Sequence, residues 1–260
     1  MNAGDELLVG LIPAAGLAKR VSPLPGSKEL FPVGFHEVES DGHVRLCPTV
    51  VSQYLLDNMR RAGAVQVWMV LSKGKWDILQ YFGDGSEFGV RIAYLVMDRL
   101  WGMPYTLDQA WPWIADRTVL FGMPDTIFTP PDAFARLVSR HRDLQADVTL
   151  GVFPTDQPQR LSPVQMEEDG RVLAITDKPA HTSTMNTWGC ACWSPRFSRL
   201  MHDYLGSIAP PQREVVLAEV FQHATTKGLR VYGLFFEDGE YIDIGTPDDL
   251  VVAVRRFSQR

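Results

Sequence analysis

Residues 7–33 read LLVGLIPAAGLAKRVSPLPGSKELFPV. The run Leu7–Ile12 is short and apolar, and it stops at a loop of small residues. A continuous apolar run of this length reads as a strand buried on both faces. In open α/β sheets, ligands bind beyond the C-terminal ends of the strands. Ala14, Ala15, Gly16 and Ala18 are small enough for backbone amides to approach a phosphate or a base closely. Arg20 and Lys28 then supply two cations, with prolines nearby that stiffen the loop. A tight amide-lined loop with two cations suits a polyphosphate. On chemistry alone the alternative is a small-residue turn carrying two solvated charges. The segment contains neither the GxxxxGK(S/T) phosphate loop nor the GxGxxG dinucleotide fingerprint.

Outward from this segment, Val65–Leu71, Arg91–Val96 and Thr118–Gly122 are similar buried runs. Helical patterns separate them. In Pro48–Gly63, Val51, Leu55, Leu56 and Met59 recur at helical spacing and Gly63 closes the segment. Pro104–Ile114 reads as a helix that Pro112 ends or bends. Alternating strand and helix predicts a parallel sheet with crossover helices. The second half is more mixed. Asp132–Arg142 and Glu214–Thr226 read as helices; Asp147–Phe153, Thr187–Trp193 and Leu229–Leu234 read as strands. Val164–Glu167 and Arg171–Thr176 form an expected hairpin. Thr246 caps a final helix, with Pro247 at its first position and Asp249 placed for a capping box. The polar stretch Phe35–Leu46 reads as a surface hairpin or loop. The expected architecture is α/β: a Rossmann-like, mostly parallel sheet flanked by helices, with a smaller mixed subdomain. One domain is expected over residues 1–260, with a nucleotide half near 1–130 and an acceptor half near 131–260.

Composition narrows the function. The chain has 260 residues, 45% of them hydrophobic, which excludes a disordered chain. Its formal charge of −6 argues against a nucleic-acid coat. No apolar run reaches the roughly 20 residues that a bilayer core requires. Two acids precede the first apolar run, where a secretory signal would be basic, so a cytoplasmic location is expected. Cys190 and Cys192 lie one apart in an expected strand and read as structural thiols.

The segment LIPAAGLAKRVSPLPGSKELFPV resembles the signature of the sugar-phosphate nucleotidyltransferases, a small-residue loop followed by G-T-R and then by S-K-x-L-x-P. IPAAGL is similar to the bacterial UTP–glucose-1-phosphate uridylyltransferases, and SKELFPV to the glucose-1-phosphate thymidylyltransferases. The resemblance continues in order through YFGDGSEFGVRIAYLV, WGMPYTL, VLFGMPDTIF, TDKP and YIDIGTPDDL. It implies that Ala14, Ala15, Gly16 and Leu17 wrap a nucleoside triphosphate and that Arg20 and Lys28 neutralise its phosphates. By the same resemblance Gly102 approaches the nucleoside, and Asp125 and Asp243 carry Mg²⁺. Lys178 would hold the sugar phosphate, while Asp177 and Gly189 would contact the acceptor. Trp101 and Trp188 are the tryptophans expected to line the pocket.

Nucleotidyl transfer brings two anions together, so charge neutralisation dominates and no protein nucleophile is required. Mg²⁺ takes one or two carboxylates plus phosphate oxygens. The expected reaction transfers an NMP from an NTP, a pyrimidine one (dTTP, UTP or CTP) by resemblance, to a sugar 1-phosphate or related acceptor, releasing pyrophosphate. No nucleic-acid or membrane partner is expected. The alternative is a non-catalytic nucleotide-binding or regulatory protein of the same fold.

The chain departs from the family pattern in four places. Ala18-Lys19-Arg20 replaces G-T-R, and Met97 stands near a base-reading glutamine. Leu161-Ser162-Pro163 replaces Y-G-V, and Asp177 replaces the common Glu.

Overall fold

The computed structural model describes residues 7–18, 20–40 and 42–258. Lys19, a further cation of the first loop, lies outside them, as do the acids that precede the first strand. The strands are β1 (Leu8–Ala14), β2 (Pro32–Ser40), β3 (His43–Val50), β4 (Gln66–Ser72), β5 (Arg91–Met97), β6 (Thr118–Gly122), β7 (Thr126–Phe128), β8 (Val148–Pro154), β9 (Val164–Met166), β10 (Val172–Ile175), β11 (Asn186–Trp193), β12 (Val231–Phe235) and β13 (Tyr241–Asp243). The helices are α1 (Val51–Arg61), α2 (Trp76–Phe82), α3 (Met103–Asp108), α4 (Trp111–Ile114), α5 (Ala133–Asp143), α6 (Pro195–Ile208), α7 (Leu217–Thr226) and α8 (Pro247–Phe257).

The seven-stranded central sheet runs β12-β8-β11-β6-β1-β4-β5. The pairs β1–β4, β1–β6, β4–β5 and β8–β12 are parallel. Only β11 runs against its neighbours β6 and β8. The mostly parallel sheet read from the apolar runs is therefore present, and the second half contributes β8, β11 and β12 to it. Strand β6 is buried at every position because layers cover both faces. Strand β11 shows the same two-sided burial by alternation. Cys190 and Cys192 pack on one side of the sheet with Leu120 and Phe153, whereas Ala191 and Trp193 pack on the other with Phe121 and Phe197. Both side chains are fully buried. Burial pushes the Cys190 thiol up, which keeps it protonated and unreactive.

Several boundaries differ from the sequence reading. Pro48–Val50 belong to β3 rather than to the following helix, because Thr49 and Val50 pair with Gly34 and Pro32. The helix expected over Pro104–Ile114 is two short helices, and Pro112 sits in the first turn of the second, where its missing N–H is tolerated. The Phe35–Leu46 stretch is part of a longer two-stranded hairpin, β2–β3. Helix α8 is capped as the sequence predicts: Thr246 Oγ1 accepts the Asp249 N–H at 3.3 Å and donates to Asp249 Oδ2 at 2.5 Å. Among the described residues, no helix is long and apolar enough to cross a membrane.

The strands β1, β4, β5, β6 and β8 share one direction, so Ala14, Ser72, Met97, Gly122 and Pro154 all end at one edge of the sheet. The loops that leave this edge carry most of the residues singled out above.

Candidate active site

The loop after β1 begins with Ala14 and Ala15 buried and Gly16 and Leu17 exposed. Ala18 adopts φ of +50°, the left-handed region that favours glycine. The Val21 N–H then closes a turn on the Ala18 carbonyl at 3.2 Å, with the exposed Arg20 in it. The alanine that replaces the family's glycine is therefore in a backbone conformation that disfavours a Cβ. Ala18→Gly is expected to stabilise the fold by about 0.5–1 kcal/mol, read as a higher urea midpoint at unchanged m. A lower midpoint would contradict the left-handed assignment.

Farther along this loop, a 3₁₀ turn at Lys28–Leu30 points Lys28 inward. Its ammonium pairs with Asp125 Oδ2, and the two side chains are only 14% and 16% exposed. Burial alone would lower the Lys28 ammonium, but Asp125 outweighs it and holds Lys28 above its usual range.

Asp125 lies between β6 and β7, and Asp243 ends β13. The short β7–β13 ladder pairs Asp243 with Thr126, and the Ile244 N–H donates to the Asp125 carbonyl at 3.0 Å. Two aspartates 118 positions apart in sequence are thereby brought to one place. Burial and the neighbouring Asp125 push the Asp243 carboxyl up to about 6, against the pull of Lys28 and Arg20. Arg20 also approaches Gly245: a Cβ on that glycine would lie 2.8 Å from both Arg20 Nη2 and Asp243 Oδ2.

A divalent metal suits this arrangement. Asp243 Oδ1 is buried and, among the described residues, has no hydrogen-bond partner. An ionised oxygen buried without a donor is costly unless a cation completes it. Among the described residues there is no cluster of three or more His, Cys, Asp or Glu side chains that would hold a metal unaided. Two carboxylates that leave other positions for phosphate oxygens and water match the habits of Mg²⁺.

The acceptor-side residues form a second group. Asp177 accepts a 2.7 Å hydrogen bond from the Ser162 hydroxyl. Ser162 also accepts the Trp188 N–H at its carbonyl, at 3.4 Å, which ties the loop to the start of β11. Lys178 is exposed, has φ of +44°, and anchors its N–H on the Leu161 carbonyl at 2.8 Å. Among the described residues its ammonium makes no ion pair. A strained backbone that presents a free cation is an arrangement that functional sites use.

The two glycines meet protein rather than open space. A Cβ on Gly102 would sit 2.1 Å from the Val215 carbonyl, and one on Gly189 2.5 Å from the Tyr241 ring. Gly189 thus lets Tyr241, the first residue of β13, pack against β11, and so helps to set Asp243. Trp188 is buried against Phe121 and Phe221, whereas Trp101 is half-buried beneath Arg99.

Sequence reasoning missed a set of supporting contacts around Lys28, formed by Ser27, Glu29, Lys75 and Asp77. The partners are tens of residues apart, and each looks in isolation like a surface polar residue. No local pattern marks them.

Comparisons with known proteins found a matching family, curated relatives and solved structures of similar fold. The profile of the family described as Nucleotidyl transferase matches residues 9–260. The chain is 22% identical over 249 residues to a low-salt glycan biosynthesis nucleotidyltransferase of Haloferax volcanii, covering 94% of this chain and 64% of that protein. It is 28% identical over 200 residues to a mannose-1-phosphate guanylyltransferase of Mycobacterium tuberculosis, covering 76% of this chain and 53% of that protein. The chain therefore spans less than two thirds of the length of these relatives. The solved structure of a UDP-glucose pyrophosphorylase with UDP-glucose superposes with a TM-score of 0.78 at 16% identity, covering 96% of this chain and 98% of the other, which shows a shared fold. With nearly its whole length matched by that profile, the chain belongs to the nucleotidyl transferase family.

Proposed function

We propose that the protein is a sugar-phosphate nucleotidyltransferase that moves an NMP from an NTP to a sugar 1-phosphate and releases pyrophosphate. The observation that carries this reading is the meeting of Lys28, Asp125 and Asp243 at the edge of the sheet where the β1 loop ends. The attacking group is an acceptor phosphate oxygen, already anionic. It forms a bond to the α-phosphorus as the bond from that phosphorus to the bridging oxygen breaks in line. The electron pair departs on pyrophosphate.

In this reading the loop Ala14–Leu17 lies along the triphosphate, while Gly102 borders the nucleoside. Arg20 and Lys28 neutralise charge on the α-phosphate and on the departing pyrophosphate. Asp125 and Asp243 hold Mg²⁺, which when bound supplies further neutralisation of the phosphate charge. Lys28 exchanges its contact with Asp125 for a phosphate oxygen once the triphosphate is present. On the acceptor side, Lys178 grips the sugar phosphate, and Asp177, oriented by Ser162, meets sugar hydroxyls beside Gly189. The nucleotide thus sits mainly on residues 1–130 and the acceptor on residues 131–260. The resemblance of the first loop favours a pyrimidine base. Met97, buried at the end of β5, offers no amide to read it. A cytoplasmic location, where both substrates would be made and used, completes the proposal.

The test follows pyrophosphate release with dTTP, UTP, CTP, GTP and ATP against a panel of sugar 1-phosphates. Mg²⁺-dependent release with one pair is expected. Nucleotide binding without release from any pair would favour the non-catalytic alternative. Lys178→Met separates the two substrates: the KM for the sugar phosphate should rise by on the order of tenfold or more, with that for the NTP little changed.

A further inference from the structure

Lys28 is delivered by residues 22–31, a segment whose regular structure is limited to the single 3₁₀ turn. Contacts on both sides of Lys28 hold it. The Ser27 N–H donates to Asp77 Oδ2 at 2.6 Å, and the Ser27 hydroxyl donates to Oδ1 at 2.8 Å. Lys75 Nζ donates to Glu29 Oε1 at 2.5 Å. The Ser52 hydroxyl donates to the Glu29 carbonyl at 2.6 Å. Lys75 and Asp77 belong to one corner, the connection from β4 into α2.

The Glu29–Lys75 pair is buried, with side chains 2% and 11% exposed. Glu29 Oε2 is buried and, among the described residues, has no hydrogen-bond partner. Ion pairs taken out of water gain little net stability, and a well-packed apolar pair would serve a core as well. Geometry is the better reason for keeping one here. When substrate binds, the Lys28 ammonium must leave Asp125 for a phosphate, so Asp125 cannot be what holds the lysine in place during turnover. The backbone on either side has to be fixed from elsewhere.

We propose that Lys75 and Asp77, at the corner after β4, are positioning residues for Lys28. They clamp Glu29 and Ser27 so that the lysine backbone stays fixed while its ammonium changes partner. This rests on the assignment of Lys28 to the nucleotide phosphates. The corner touches no substrate. Its effect reaches the NTP only through Lys28 and leaves the acceptor side untouched.

The experiment compares the full chain with its Lys75→Met, Lys75→Arg and Asp77→Asn variants. Displacing a phosphate-binding group by about 1 Å weakens its action by between about tenfold and a hundredfold. Lys75→Met should therefore raise the NTP KM by about tenfold or more, with the acceptor KM within about twofold of wild type. Lys75→Arg, which keeps the charge, should recover most of the loss. Asp77→Asn leaves no buried charge unpaired and should shift the NTP KM the same way. Amide hydrogen exchange without substrate should be faster across residues 24–31 in Lys75→Met and Asp77→Asn, and near wild type in Lys75→Arg. A loss of kcat with both KM values unchanged would mean only fewer folded molecules and would overturn the inference. So would unchanged exchange across the segment. If the wild type itself released no pyrophosphate with any substrate pair, the proposed function would fail, and the exchange result alone would decide whether the corner fixes the segment.

Discussion

Asp243→Asn is expected to abolish pyrophosphate release while raising the stability of the unliganded protein. Asp243 is half-buried beside Asp125, one of its oxygens is buried with no hydrogen-bond partner among the described residues, and its carboxyl is pushed up to about 6. The sign of the stability effect follows from that direction. A folded-state value above the unfolded one means that between roughly pH 4 and 6 the native protein binds more protons than the unfolded chain, so stability falls as pH rises through this window. Above pH 6 the ionised Asp243 opposes folding by on the order of 1–3 kcal/mol. An amide removes that charge and presents Asp125 with a donor instead of a second anion. At pH 7.5 the variant should melt higher by about 2–4 °C for each kcal/mol gained. Its advantage should shrink as the pH is lowered through 6 toward 4. Turnover should fall by on the order of 10³ or more, because the site loses the charge that is proposed to hold Mg²⁺. Any stabilisation by Mg²⁺ with NTP should disappear with it.

Asp125→Asn provides the contrast. It too should stop turnover, but it leaves the buried Lys28 ammonium without its partner, so its melting temperature should fall. Opposite signs of stability change at two neighbouring carboxylates, with the same catalytic loss, distinguish a metal-holding pair from two ordinary turn residues. If Asp243→Asn lowers the melting temperature at pH 7.5, or retains turnover, the assignment of Asp243 fails.

Elements buried on both faces were the ones legible in the sequence. Strands β1, β4 and β6 are runs of apolar residues because neighbours cover them on each side, and β5, the edge strand, kept an apolar run although it is only partly buried. Helix α1 shows its buried stripe of Val51, Leu55, Leu56 and Met59, and Thr246 announces α8. What could not be read is relational. Nothing in NTWGCACW states that β11 runs against β6 and β8, since an apolar run has the same composition in either direction. Strands β7 and β13, of three residues each, are too short for a periodic signal. Yet their pairing across the chain is what sets Asp125 beside Asp243, and only an ordered set of motifs hinted at it. Pro48–Val50 carried a helix-compatible pattern, but pairing with β2 decided their conformation.

At the site, the charged residues could be named from the sequence, whereas their supports could not. Gly102 and Gly189 were expected to face ligands. A Cβ on either would meet Val215 or Tyr241, so each glycine also lets the protein's own chain come close. Glu29, Lys75 and Asp77 carry no motif because their partners are remote in sequence. Their importance is visible only in burial and distance.

Lys28→Met is expected to lower turnover by on the order of 10²–10³, the loss seen when one preorganised group facing developing charge is removed. The rate loss alone would be shared by many damaged enzymes. The distinguishing result concerns metal binding without nucleotide. In the native protein the Lys28 ammonium already satisfies Asp125 and pulls down the Asp243 carboxyl, so it competes with a cation for the same two side chains. Methionine keeps most of the apolar stem and removes the competitor. Two carboxylates are then left facing each other, and either a proton or a divalent ion must relieve them. At neutral pH the variant should therefore be less stable than wild type in chelator, yet gain more melting temperature from Mg²⁺ alone. Lys28→Arg keeps the charge but spreads it over a planar fork that does not reproduce a compact ammonium, so it should restore the low Mg²⁺ response without restoring full turnover. Thermal unfolding with and without Mg²⁺, together with pyrophosphate release, measures both effects. If Lys28→Met turned over within about threefold of wild type, Lys28 would not be acting on the phosphates. If Mg²⁺ stabilised the variant no more than wild type, the ammonium and the metal would not be sharing the aspartate pair, and the arrangement at the heart of the site would need a different explanation.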